Sequence, residues 1–127
     1  MLVMKKILSN LFLIIFLLVQ VTCAQIDSSK SISVEKFKKE LKNNKDLIVL
    51  DVRTPQELSG SLGKIEGSIN IPVQDLEKRI EELAGYKNKE IAVICRSGNR
   101  SVKGTEILTK NGFNAKNVLG GMKSFKQ

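Results

Sequence analysis

Apolar residues recur along the chain at two different spacings, and their alternation lays out the expected elements. In "SISVEKFKKELKNN" the residues Val34, Phe37 and Leu41 fall three and four apart, the spacing that lines one helical face. Ser33 stands where an N-cap belongs. "DLIVLDVR" is a short continuous apolar run with β-branched residues, the pattern of a strand buried on both faces. It passes into a charged turn, "DVRTPQE", where Pro55 is expected to interrupt regular structure, and then into the glycine-rich loop "SGSLGKIEGS". "INIP" predicts a short strand stopped by Pro72. "VQDLEKRIEEL", with Val73, Leu76, Ile80 and Leu83 spaced three, four and three apart, predicts a second helix. "EIAVIC" reads as another buried strand, and "SVKGTEILTKN" as a helix that Gly112 can end in a left-handed cap. "AKNVLGG" is a last short strand, and "MKSFKQ" a terminal turn or helix.

Strands alternating with helices imply an α/β domain around a mainly parallel sheet. A chain of 127 residues fits one such domain. The first 24 residues do not belong to it. They open with Lys5 and Lys6, continue through an apolar run from Leu11 to Val19, and end in small residues, the layout of a secretory signal peptide. The run is short of the roughly 20 apolar residues a spanning helix needs. Cleavage after Ala24 would release a soluble protein beginning at Gln25; alternatively, Cys23 could be the lipidated first residue of a lipoprotein. Gln20 and Thr22 fit the lipoprotein pattern poorly, so the soluble form is favoured. Residues 25–30 are expected to be a flexible tail, residues 31–127 the folded domain, and the location periplasmic or in the cell envelope. Membrane contact would follow only from lipidation at Cys23.

The net charge is +8, and the leader carries two of the lysines and no acid, which leaves +6 for the rest. The remaining lysines are interleaved with glutamates ("EKFKKELKNNK", "EKRIEEL"), the pattern of a solvated surface. With one tyrosine and no tryptophan, base-stacking platforms would be scarce, and no nucleic-acid partner is expected. Either leader cleavage leaves Cys95 as the single thiol of the domain. That excludes an internal disulfide and a cysteine-rich metal site, and the absence of histidine removes the common zinc sites. No metal or cofactor is expected.

The chemistry concentrates in "ICRSGNRS", Ile94 to Ser101. Cys95 follows a buried strand and precedes a helix, the end of a parallel sheet where ligands bind. A thiol is a good nucleophile only as thiolate, and a free cysteine has a pKa of about 8.5. Arg96 and Arg100, a glycine that lets backbone amides turn inward, and a helix starting near Asn99–Val102 would each lower it. Such a loop suits attack on an anionic group, or storage of one, without an imidazole. Phosphoryl transfer through cysteinyl phosphate uses C-x5-R; here Cys95 and Arg100 make C-x4-R. The smaller ring of amides matches the terminal sulfur of a persulfide better than a tetrahedral phosphate.

Four stretches in order, "LDVRTPQE", "GKIEGSINIP", "VICRSGNRS" and "VLGGMKSF", make the chain resemble the rhodanese family, as a single-domain member over roughly residues 31–127. The resemblance implies the rhodanese-like α/β fold with a five-stranded, mainly parallel sheet flanked by helices. It implies sulfur transfer from a small anionic donor such as thiosulfate to a thiol, cyanide or a partner protein, with Cys95 as the sulfur-accepting nucleophile. Amides of Arg96, Ser97, Gly98, Asn99, Arg100 and Ser101 would form the persulfide cradle. Asp51 and Arg53 would form a charge network under the loop, with Asp51 available to pair with a loop arginine and Glu57 in a supporting part. Three departures stand out: Lys64 where histidine is common, two extra residues between Glu57 and Gly63, and Phe125 where tryptophan is typical. Lys64 is either a surface lysine or an extra cation at the substrate rim. The alternative to an enzyme is a non-catalytic or sulfur-carrying module that docks on a partner protein.

Overall fold

The central strand shows how the chain builds two cores at once. In β4 (Glu90–Ile94) Ile91 and Val93, with Cys95 beyond, point to one face, while Ala92 and Ile94 point to the other, and all five are buried. The period-2 alternation of a strand therefore feeds both faces, as a parallel sheet covered on each side requires. The computed structural model describes residues 1–6 and 28–127. The leader's apolar run, the Ala24 cleavage site, Cys23 and residues 25–27 lie outside the described residues. Among those described, no helix is long and apolar enough to cross a membrane.

Five parallel strands form the sheet in the order β1-β5-β4-β2-β3, with β1 Ser31–Ile32, β2 Ile48–Asp51, β3 Ile69–Asn70 and β5 Asn114–Val118. The rhodanese-like α/β architecture expected from the sequence is present. One face is covered by α3 (Asn99–Lys110) and a 3-10 helix (Ile80–Tyr86), which contribute Ile107, Leu108 and Leu83 to a core with Leu50, Val52, Leu76 and Phe113. The other carries α1 (Val34–Asn43) and α4 (Gly121–Phe125), whose Phe37 and Met122 join Ile32, Val49 and Val118. Gly104 lets α3 lie close on the sheet, since a Cβ there would sit 3.1 Å from a Val93 methyl.

Several local expectations hold. The Ser33 side chain accepts from the Lys36 N–H at 3.2 Å, capping α1. Gly112 has φ +83°, and the bonds Gly112 N–H to Thr109 O and Phe113 N–H to Leu108 O close α3 in a Schellman motif. Phe125 packs on Phe37 with ring centroids 5.7 Å apart, so the phenylalanine in the tryptophan position serves the core.

Three expectations are corrected. Ser31–Ile32, which precede the Ser33 cap in the first helical stretch and for which the sequence predicts no strand, form the edge strand β1. Two residues carry too little pattern to declare a strand; pairing with β5 makes it one. The regular helix expected over Val73–Leu83 is a run of turns leading into the 3-10 helix. Leu76 and Leu83 are fully buried there all the same, because spacings of three and four satisfy either geometry, and Val73 is drawn to β2 by its N–H bond to Val52 O at 3.1 Å. Finally, Pro55 begins a short helix, α2 (Pro55–Leu58), rather than interrupting structure, because its fixed φ suits the first helical position.

Candidate active site

The chain leaves β2 toward β3 on one side of the sheet and β4 toward β5 on the other, which places a crevice between the carboxyl ends of β2 and β4. The turn after β2 carries Asp51, Arg53 and Glu57; the loop after β4 carries Cys95. In-register pairing of Asp51 with Ile94 brings the two segments level, and Val52 N–H bonds Ile94 O at 2.9 Å.

Cys95 is 1% exposed and is a free thiol. Its Sγ accepts from the Gly98 N–H at 3.0 Å and lies 3.3 Å from Ser101 Oγ. Burial works to raise the thiol's pKa, but hydrogen bonds from the Ser101 hydroxyl and from the backbone N–H groups of Ser101, Gly98 and Ser97 outweigh it, and the pKa is lowered. The loop bends inward because Gly98 has φ +102°, which an L side chain rarely adopts. Its carbonyls are held away from the sulfur by α4: Met122 N–H bonds Cys95 O at 2.8 Å and Lys123 N–H bonds Arg96 O at 3.0 Å. Gly121 is required for this seat, since a Cβ there would lie 2.5 Å from Cys95 O. With carbonyls engaged below, amides are left to face the sulfur above.

The charged residues sort differently from the expectation. Asp51 does not pair with a loop arginine. It pairs with Arg53, whose Nη2 donates to Asp51 Oδ2 at 2.7 Å and to Gly63 O at 2.8 Å. Both side chains are buried, and β2 leaves Asp51 pointing into the domain. The loop arginine's partner is Glu57: Arg100 Nη1 and Nη2 donate to the two carboxylate oxygens at 2.7 Å each. Thr54 donates to the same carboxylate from its N–H at 3.0 Å and from its hydroxyl at 3.2 Å. The hydrogen bonds from Arg100 lead in holding the Glu57 carboxyl down at about 2, against a smaller opposing effect of burial.

Arg96, Ser97 and Asn99 are exposed at the rim. Arg96 lines a recess of about 140 Å³ with Arg53, Glu57, Gly60, Ser61 and Leu62, space for a small anion. Lys64 is exposed, and no hydrogen bond or ion pair joins it to the Cys95 loop. Among the described residues no cluster of metal-ligating side chains occurs. Two contributors escaped the sequence reading. Gly121 appeared only as part of a tight turn, although the "GG" pair was visible. Asn117, buried on β5, accepts from the Ser101 hydroxyl through its Oδ1 at 2.6 Å, and its one signal was a polar residue inside a strand pattern.

A parallel sheet with a buried thiol cradled by amides at its carboxyl end is the architecture of the site. The Rhodanese-like domain model matches residues 33–127, and the chain belongs to that family. It is 37% identical over 99 residues to YrkF of Bacillus subtilis, a proposed sulfur carrier protein, covering 77% of this chain and 51% of YrkF, so the chain spans about half the length of that relative. It is 34% identical over 97 residues to YtwF of the same organism, a proposed sulfurtransferase, covering 76% of this chain and 90% of YtwF. A rhodanese-like domain protein from Staphylococcus aureus superposes with a TM-score of 0.68 at 33% identity, over 76% of this chain and 90% of its own.

Proposed function

We propose that the protein is a sulfurtransferase that carries sulfane sulfur as a persulfide on Cys95. The observation that supports this most is the polar cradle of Sγ, which accepts from the Gly98 N–H at 3.0 Å and lies 3.3 Å from the Ser101 hydroxyl, in a loop too short for the C-x5-R phosphate cradle. The Cys95 thiolate attacks the outer sulfur of thiosulfate. A Cys95 S–S bond forms, the bond to the sulfite sulfur breaks, and sulfite leaves with the electron pair. The persulfide's terminal sulfur then stands about 2.05 Å beyond Sγ. It is anionic, and preorganised amides stabilise it at no cost of reorganisation. An acceptor thiolate attacks that terminal sulfur, taking it as its own persulfide and restoring the Cys95 thiolate; cyanide would leave as thiocyanate. This is double displacement on one nucleophile.

The leader pattern supports a place outside the cytoplasm. A lone thiol in that location depends on an external thiol, small or protein-borne, to keep it reduced.

The test is intact mass of the purified protein after thiosulfate, with Cys95→Ser alongside. The expected outcome is a gain of one sulfur atom on the wild type alone, lost again on adding cyanide or a thiol. A folded, reduced wild type that gains nothing from thiosulfate or other sulfane donors would overturn the enzymatic reading and leave a docking module. Equal transfer by Cys95→Ser would remove Cys95 from the chemistry.

A further inference from the structure

The Ser101 hydroxyl is contested. It is fully buried; its Oγ donates to Asn117 Oδ1 at 2.6 Å and lies 3.0 Å from Gly98 O and 3.3 Å from Cys95 Sγ. A hydroxyl has one proton and two lone pairs. When Cys95 is a thiolate, the sulfur and the Gly98 carbonyl both accept. With Asn117 Oδ1 on the hydroxyl, the arrangement in this structure, three acceptors face one proton, and the short contact to Asn117 is placed to hold it. If Asn117 turns its NH2 instead, the amide donates to Oγ and the hydroxyl proton is free for the sulfur. The two ends of an amide are nearly isosteric, so the same positions accommodate either orientation.

We propose that Asn117 is a positioning residue that aims the Ser101 hydroxyl at Cys95. With its NH2 toward Oγ, it directs the hydroxyl proton onto the thiolate or the persulfide. With its oxygen toward Oγ, it receives that proton while a neutral Cys95 thiol donates its S–H to Ser101. Ionisation of the sulfur and reversal of this two-bond chain are then one event.

The fold supports the assignment. Asn117 sits within the sheet, paired in register with Val93 of β4 and Ser31 of β1, so its reach is set by three strands rather than by the loop. It is 5% exposed at a position where a strand covered on both faces would ordinarily carry an apolar residue. A buried amide needs partners, and it is directed to the hydroxyl that touches the reacting atom. The charged groups around the sulfur come from elsewhere: Asp51, Arg53 and Glu57 on and after β2, Arg96 and Arg100 in the loop, and Lys123 on α4, whose N–H bonds Arg96 O. Substitution of Asn117 leaves all of these in place.

The inference rests on Cys95 being the reactive nucleophile, but its test needs no sulfur transfer. The rate of alkylation of the purified protein by iodoacetamide, followed against pH, reports thiolate directly. Asn117→Asp, while ionised, can only accept and adds a charge; it should raise the midpoint by about one unit or more, a roughly tenfold loss of thiolate below the midpoint. Asn117→Leu, similar in volume and uncharged, should raise it by a smaller amount and decides the matter if the aspartate variant does not fold. Ser101→Ala should also raise the midpoint, and adding Asn117→Leu to it should change nothing further. A wild-type midpoint in Asn117→Leu, or a full additional shift on top of Ser101→Ala, would overturn the assignment. A wild type that never accepts sulfur would sink the proposed function while leaving this readout intact.

Discussion

Two arginine–carboxylate pairs stand side by side at the crevice, and they do different work. Asp51–Arg53 is 0% and 1% exposed, and its guanidinium also serves the Gly63 and Glu57 carbonyls. Glu57–Arg100 is 28% and 33% exposed and joins α2 to the Cys95 loop. The first pair is a fastener of the scaffold, because a buried charge without its partner is far costlier than a buried pair. The second lies where water screens it, and contributes little to folding. Its place on the loop suits it to hold Arg100 in position near the sulfur. Burial, more than the residue types, separates structure from function here.

The sharpest way to break the comparison is to remove one partner of the buried pair. Asp51→Asn is expected to cost about 3–5 kcal/mol of stability, read from urea unfolding, because Arg53 is left charged and buried. A loss below about 1 kcal/mol would mean the pair is not desolvated as described.

A smaller loss is expected when both partners go together. Asp51→Leu with Arg53→Met leaves no orphaned charge and should be more stable than Asp51→Asn alone, although the Gly63 carbonyl loses its donor. If the double variant proves worse than the single, the donor bonds of Arg53 matter more than its charge.

The smallest effect belongs to the rim pair. Glu57→Gln should cost less than about 1 kcal/mol near neutral pH, once solvent screening is allowed for. Its signature is in pH dependence. The folded carboxyl is depressed from 4.5 to about 2, so the unfolded chain takes up this proton first as pH falls. The stabilisation from Glu57 is therefore present above pH 4.5 and is lost as pH falls toward about 2. Unfolding of the wild type and Glu57→Gln at several pH values in that window should show their difference shrinking with acid. Parallel curves would mean that Arg100 does not hold Glu57 as the geometry indicates.

The chain's linear order already determined a good deal. The continuous apolar run of β4 and the three- and four-residue spacing of α1 are local patterns, and they marked the α/β class and the strand that leads into Cys95. The composition of "CRSGNRS" likewise pointed to a stabilised thiolate, because its donors are neighbours in the chain. What tertiary structure alone decided was pairing across distance. Asp51 and Glu57 are both acids a few residues apart, and only their opposite burial assigns one to Arg53 and the other to Arg100. The edge strand β1 exists because β5 supplies its hydrogen bonds. Gly121 and Asn117 enter the site from β5 and its following turn, 22 or more residues beyond the thiol, because parallel pairing of β4 with β5 sets their carboxyl ends side by side. Hydrophobic periodicity records which side of an element faces the core; it does not record which polar group across the sheet will meet it there.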